Sequence, residues 1–381
     1  MNNPNDNCRL FFNSANFCSV PWNHFGVYMN GDITTCSKGS KLGNIHTIHD
    51  IGEFFQDNQR LKTIRKNLFN DITDPNCAKC KSMECNDYSF LRGMYNSNFI
   101  KSDVAYSEDH SFSLNGIDLH WGSTCQLKCI TCWANQSSSI AKEENKPILS
   151  VTDEAADKII KLVANNQTTI TELYLSGGEP TLIAHNYRLL MALDPSTLNP
   201  NCQIRVNSNL MFKSNNRIIK ELLKFPNVLV TVSADNIGER FQYVRRGASW
   251  EQFVANLLML KQTHVKLRLN SVFFVGNAFD ISDTHEYFMD EFAISDITIN
   301  QLGMGHSNIL CRNLDNNLKD LCKTKILSHC KKHASDKNLQ GQLHNCLNEL
   351  GAEKETSYVP FFESVDMKEG TNWKRIFKEL I

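Results

Sequence analysis

Short apolar runs alternate with amphipathic stretches along the chain from about residue 114 to residue 302. The runs at 116–121, 171–176, 203–207, 228–233, 266–274 and 296–300 are rich in Ile, Val, Leu and Thr, and they read as strands. Between them, 133–145, 153–165, 185–193, 215–224, 249–263 and 281–291 carry the spacing of helices that bury one face. Strands that alternate with helices predict an α/β fold with a parallel sheet. Six such units predict a partial (β/α)6 barrel rather than a closed eight-fold one. Upstream, the polar segment 97–113 reads as a linker behind a small domain at 1–96. Downstream, 303–381 is expected to form a helical extension that covers the barrel.

Composition narrows the function classes. Forty Lys and Arg nearly cancel forty-one Asp and Glu. No global field therefore steers the chain to a nucleic acid or a membrane surface. The local run Lys323, Lys325, Lys331 and Lys332 reads as a solvated helix face. The N-terminus lacks a basic start followed by an apolar stretch, and no run of about eighteen apolar residues occurs. A cytoplasmic chain is the expectation. Fourteen cysteines then stand out. In a reducing compartment they serve metal binding or chemistry more often than disulfides.

The cysteines fall into groups. Cys125, Cys129 and Cys132 form a C-x3-C-x2-C trio just after the first barrel strand. Loops at strand C-termini are where barrel sites form. Three thiolates leave one iron of a [4Fe–4S] cube without a protein ligand, so a substrate or cofactor can bind it. Zinc is the alternative, with His120 as a fourth ligand. One βα unit later comes Gly177-Gly178-Glu179-Pro180, where glycine admits close backbone approach and a carboxylate can pair with an ammonium.

This trio and the Gly-Gly-Glu-Pro segment resemble the radical S-adenosylmethionine (SAM) superfamily over most of 114–302. The resemblance implies that the trio holds a [4Fe–4S] cluster that binds SAM, and that Gly177, Gly178, Glu179 and Pro180 meet its methionine amino group. Ser208-Asn209 resembles the family's Thr-Asn-Gly segment, with Leu210 where the glycine stands. Ser233 and Asp235 resemble a Ser-x-Asp segment near the SAM ribose or carboxylate. Arg245 or Arg246 is expected to pair with the SAM carboxylate, since guanidinium fits carboxylate bidentately. Asn270 is a further polar contact, and Trp133 or Ile130 is expected to border the adenine. Many family members place an aromatic just before the third cysteine; Thr131 stands there in this chain.

A second pattern precedes the barrel. Cys18 is followed by twelve residues, Gly31, four residues and Cys36, then after a gap by Cys77-x2-Cys80. A hairpin turning at Asn30-Gly31 would bring Cys18 and Cys36 together. The arrangement resembles the twitch module, a shorter relative of the SPASM domain, though it usually follows the barrel. It implies a second, auxiliary [4Fe–4S] cluster on Cys18, Cys36, Cys77 and Cys80, with Cys85 as a competing ligand and a zinc knuckle as the alternative.

The expected function is a radical SAM oxidoreductase fed by a reductant such as flavodoxin or ferredoxin. It would form a 5′-deoxyadenosyl radical, take a hydrogen atom from a small molecule and pass an electron to the auxiliary cluster. The alternatives are a peptide maturase forming a cross-link or epimer, and a non-catalytic iron–sulfur or zinc protein on a degenerate barrel. No leader-binding segment is evident at the N-terminus, which favours a small molecule or a nucleotide. Cys311, Cys322, Cys330 and Cys346 are expected to pack between helices. His329 and His333 share a helix face, a spacing that can pair on a metal. With no third ligand evident in the sequence, the pair reads as surface.

Overall fold

The computed structural model describes residues 14–82, 84, 90–99, 112–302 and 304–381. Cys8, Cys85 and most of the expected linker lie outside the described residues. The chain divides into two compact units. The first comprises Met1–Thr124, Leu149–Val206 and Arg217–Val228; the second comprises Cys125–Ile148, Asn207–Asn216 and Leu229–Ile381. The α/β class and the parallel strand–helix alternation expected of a partial barrel are both present.

In the first unit the strands are β1 (His24–Tyr28), β2 (Asp32–Thr34), β3 (Lys41–Asn44), β4 (Gly116–His120), β5 (Glu172–Leu175) and β6 (Gln203–Ser208, up to Val206). They lie in the order β3-β2-β1-β4-β5-β6. The predicted hairpin forms: β1 and β2 are antiparallel, with Gly26 opposite Thr34, and Gly31 turns the chain at a φ of 83°. Beyond the hairpin, β1 runs parallel to β4 from His24 opposite Gly116 to Tyr28 opposite His120. The N-terminal module is therefore hydrogen-bonded into the same sheet as the first barrel strands.

The two faces of these strands differ in chemistry. On one face Phe25, Val27, Ile117, Leu119, Leu173, Leu175, Ile204 and Val206 are almost completely buried. The flanking helix Asp153–Asn165 buries Ala155, Ala156, Ile159 and Val163, a stripe at helical spacing. The alternate positions carry His24, Tyr28, Asp118, His120, Glu172, Tyr174 and Arg205. A barrel interior filled by branched aliphatic side chains would be a packed core. This face is instead polar and charged.

The second unit holds β7 (Val228–Ser233, from Leu229), β8 (Lys266–Phe273) and β9 (Ile297–Gln301) in parallel. The edge at β9 is covered by the helix Lys337–Gly351. Its Gln342 side chain accepts from the Ile299 N–H and donates to the Ile297 carbonyl at 3.1 Å. A side-chain amide thus satisfies backbone groups that an open strand edge would expose. Cys311, Cys322 and Cys346 are buried, as expected of packing residues. The helix expected at 133–145 is confined to Ser138–Glu143, because Ser137 caps it by accepting from Ile140 N–H. Residues 133–137 form a turn that serves the cysteine loop. Among the described residues, no helix is long and apolar enough to cross a membrane.

Candidate functional site

The loop 125–132 is fastened on both sides within the second unit. The Ser138 hydroxyl bridges Cys125 N–H and Cys125 carbonyl at 3.0 Å each, and the Ser139 hydroxyl donates to the same carbonyl at 2.8 Å. The Ser137 hydroxyl donates to the Leu127 carbonyl at 2.6 Å. Opposite, Lys128 N–H donates to the Arg246 carbonyl and Ile130 N–H to the Val244 carbonyl, both at 2.9 Å. The Arg246 guanidinium closes the ladder by donating from Nε to the Lys128 carbonyl at 2.7 Å. Arg246 therefore anchors backbone.

Arg245 has a different role. It is buried, and its guanidinium lies in the field of Asp235 and of all three thiols of the trio. Asp235 Oδ2 stands 3.0 Å from Arg245 Nη2, and Asp235 Oδ1 accepts from Val272 N–H at 2.8 Å. Arg245 Nε is buried without a hydrogen-bond partner, an unspent donor beside the trio. Burial pushes the Cys129 thiol up against the lowering effect of Arg245, and pushes Cys132 to about 12 with help from Cys129. Three converging thiols and a buried guanidinium suit a bound cluster, which supplies the positive charge that thiolates need.

The other expected positions of this unit fall nearby or elsewhere as follows. Asn209 donates to Cys125 Sγ at 3.8 Å and accepts from Gln126 Nε2 at 3.3 Å. The Ser208 hydroxyl accepts from Leu210 N–H at 3.1 Å. Leu210 adopts a φ of 58°, the left-handed backbone that the family's glycine favours. The Ser233 hydroxyl donates to Asn207 Oδ1 at 3.3 Å, and Asn270 Oδ1 accepts from Asn300 at 2.6 Å. Trp133 is 38% exposed and tilts against His306, with ring centroids 5.2 Å apart; Ile130 is buried. His306 hydrogen-bonds the Cys132 backbone and was invisible in the motif reading.

In the first unit Gly177 and Gly178 are required by backbone proximity. A Cβ on Gly178 would lie 2.4 Å from the Thr124 carbonyl oxygen, and one on Gly177 would lie 2.5 Å from that of Gly122. Gly178 N–H donates to the Gly122 carbonyl at 3.0 Å and Glu179 N–H to the Thr124 carbonyl at 2.8 Å. Both contacts hold the segment that leads into Cys125 in the sequence. Glu179 is buried and its Oε1 accepts from the Thr181 N–H and hydroxyl. The Pro180 carbonyl accepts from Asn186 at 2.9 Å.

The polar face of the sheet forms a connected set. His24 bridges the Thr35 carbonyl at 2.8 Å and Asp118 at 3.2 Å, and the Tyr95 hydroxyl donates to Asp118 at 3.4 Å. Arg205 pairs with Glu172 and lies over the Tyr174 ring. His120 stacks on Tyr28 and its Nδ1 is 2.7 Å from the Ser176 hydroxyl. Burial lowers the His120 pKa despite the opposing pull of Asp118, so the ring is neutral near pH 7.

Cys18, Cys36, Cys77 and Cys80 line one cavity of about 40 Å³. Burial raises every one of these thiols, and Cys36 adds to the rise in the other three; Cys77 reaches about 12. Backbone N–H groups of Val20, Lys38, Gly39 and Arg92 are directed at the sulfurs of Cys18, Cys36, Cys36 and Cys80 respectively. Arg92 and Lys38 bring positive charge to the same cavity. Among the described residues, no three cysteine sulfurs lie within 4.8 Å of one another. Cys85 lies outside the described residues.

Fold and donor sets together define an α/β protein built to hold iron–sulfur clusters. Residues 120–287 match the radical SAM superfamily and residues 18–81 match the SPASM iron–sulfur cluster-binding domain. Residues 120–287 thus form a radical SAM domain, and a SPASM-type iron–sulfur domain precedes it in the sequence. Its cofactors are accordingly SAM, a [4Fe–4S] cluster and an auxiliary cluster. No curated protein matches the sequence. Among solved structures it is similar to native anSMEcpe with bound AdoMet at 17% identity and a TM-score of 0.44, over 57% of this chain and 61% of that one. It is also similar to Streptococcus suis SuiB bound to precursor peptide SuiA, at 12% identity and a TM-score of 0.41, over 82% and 70%. The chain thus spans about three fifths of the length of the anSMEcpe chain.

Proposed function

We propose that this chain is a radical SAM oxidoreductase acting on a polar substrate. In this reading Cys125, Cys129 and Cys132 hold the SAM-binding cluster, and Cys18, Cys36, Cys77 and Cys80 hold the auxiliary one. Ser208, Asn209, Ser233, Asn270 and Trp133, which share a unit with the trio, line the SAM site. When bound, these groups supply a 5′-deoxyadenosyl radical that removes a substrate hydrogen atom, and an acceptor for the electron left behind.

The protein's own residues do the rest. Arg245 offers its unspent Nε–H to an anionic group beside the trio, and Asp235 holds it in place. The serines and Arg246 keep the cysteine loop rigid. The polar face of β1, β4, β5 and β6 offers the substrate hydrogen-bonding partners in Tyr28, Tyr174 and Arg205. A two-electron oxidation also releases a proton. In this reading His120, neutral and partly exposed, accepts it at a ring nitrogen.

The observation that carries the redox reading is the auxiliary cavity, where backbone N–H groups and two cations act on Cys18, Cys36 and Cys80. Such donors tune the potential of a cluster. The test is anaerobic reconstitution. About eight irons per chain are expected, falling to about four in Cys77→Ala/Cys80→Ala. 5′-Deoxyadenosine should form from SAM and dithionite in both. Zinc in the quartet, or no 5′-deoxyadenosine from loaded protein, would overturn the proposal.

A further inference from the structure

A third group of metal-ligating side chains involves neither the cysteine trio nor the quartet. His329 and His333 sit on the last turn of the helix Asn316–Lys332 and at its C-cap. The sequence supplied no third ligand; the fold does. Glu286, from the helix Ile281–Phe292, places one oxygen, Oε1, 3.0 Å from His329 Nδ1 and 2.9 Å from His333 Nε2. One ligand atom from each of the three residues lies within 4.8 Å of the others. The surface reading of this histidine pair is corrected by burial, since His329 is only 4% exposed.

Hydrogen bonding alone does not account for the group. His329 Nε2 is buried without a partner. Behind it His285 is fully buried with neither ring nitrogen partnered, its ring centroid 5.6 Å from that of His329. Buried polar atoms are nearly always satisfied, so the unpartnered His329 Nε2 marks this ring as one that its hydrogen bonds alone do not explain. A carboxylate approached by two imidazoles is also the donor set of borderline divalent metals. Glu286 and His333 are partly exposed, each side chain at 22%, which leaves an entry path and room for water.

We propose that Glu286, His329 and His333 bind one zinc-class divalent cation, with water completing the shell. The cation ties the helix Asn316–Lys332 to the helix Ile281–Phe292. Lys332, which pairs with Glu286 Oε2, is the resident cation it displaces from that carboxylate. The role is to brace the C-terminal extension, and it needs no electron transfer.

The experiment uses the full chain with its iron–sulfur clusters loaded, so that the seven cluster cysteines are occupied. Zinc is supplied, and bound zinc is measured by elemental analysis after dialysis, with the melting temperature recorded in parallel. One zinc per chain beyond the iron content is expected, together with a rise in melting temperature. In Glu286→Gln and in His333→Ala the zinc affinity should fall by more than the roughly 10–100-fold that loss of an outer-shell partner costs. Iron content and 5′-deoxyadenosine formation should not change. Wild type that binds no zinc, or variants that bind it equally, overturns the proposal. If His333→Ala fails to fold, the nearly isosteric Glu286→Gln alone decides.

Discussion

Asp235 Oδ2 stands 3.0 Å from Arg245 Nη2, and both side chains are buried. Arg245 is the charged group closest in character to what the cysteine trio lacks. Removing one member of a buried ion pair costs about 3–5 kcal/mol, because the other charge is left uncompensated. Asp235→Asn is expected to destabilise the cluster-free protein by that order. With the cluster loaded the loss should be smaller, because the thiolates take over part of the counter-charge. Chemical denaturation of both forms measures the difference.

Gly178→Ala puts a methyl group 2.4 Å from the Thr124 carbonyl oxygen and must push the strand-end segment aside. Overpacking of this kind costs about 1–3 kcal/mol. Because that segment leads directly into Cys125, 5′-deoxyadenosine formation should fall at least tenfold while the auxiliary cluster's iron is kept. Iron quantitation beside product assay separates the two effects.

Titration of His24 should make stability depend on pH. Burial alone would lower its pKa, but the Asp118 carboxylate and the Thr35 carbonyl outweigh burial and raise it above 6.5. Burial would raise Asp118, yet His24 brings it below 3.8. A raised histidine contributes fully below 6.5 and loses its contribution as pH climbs through the folded value; a lowered aspartate contributes above 3.8 and loses it as pH falls through its own. The pair is thus worth most between those two values. Wild type should lose stability relative to His24→Gln as pH rises from 6 to 9, read from urea midpoints.

Gln342→Leu removes the amide that satisfies Ile297 and Ile299 at the β9 edge. A buried backbone donor left unmatched costs about 1–3 kcal/mol. Hydrogen exchange should quicken at Ile299 and leave β4 and β5 protected.

Both cysteine groups were legible because ligand spacing is local: Gly31 and the hairpin bring Cys18 toward Cys36 just as the turn residues imply. The adjacent arginines were not separable, since neighbours on a chain point apart and only the fold shows that Arg245 faces the thiols while Arg246 faces backbone. The polar sheet face had a signal that went unused. Asp118 and His120, Glu172 and Tyr174, and Arg205 recur at period two inside strands that otherwise read as continuous apolar runs. Leu210 read as a departure from the family, yet its backbone keeps the left-handed conformation. The parallel pairing of β1 with β4 depends on residues far apart in sequence, which no local pattern encodes.

That pairing bears on how the polypeptide is made. Strand β1 leaves the ribosome well before β4 exists, so one backbone edge of it waits unpaired while Cys36, Cys77 and Cys80 emerge in turn. Non-local parallel ladders close slowly and are exposed to aggregation meanwhile. A shortened gene starting at residue 114 would yield a β4 with a raw, sticky border, and inclusion bodies instead of a minimal enzyme.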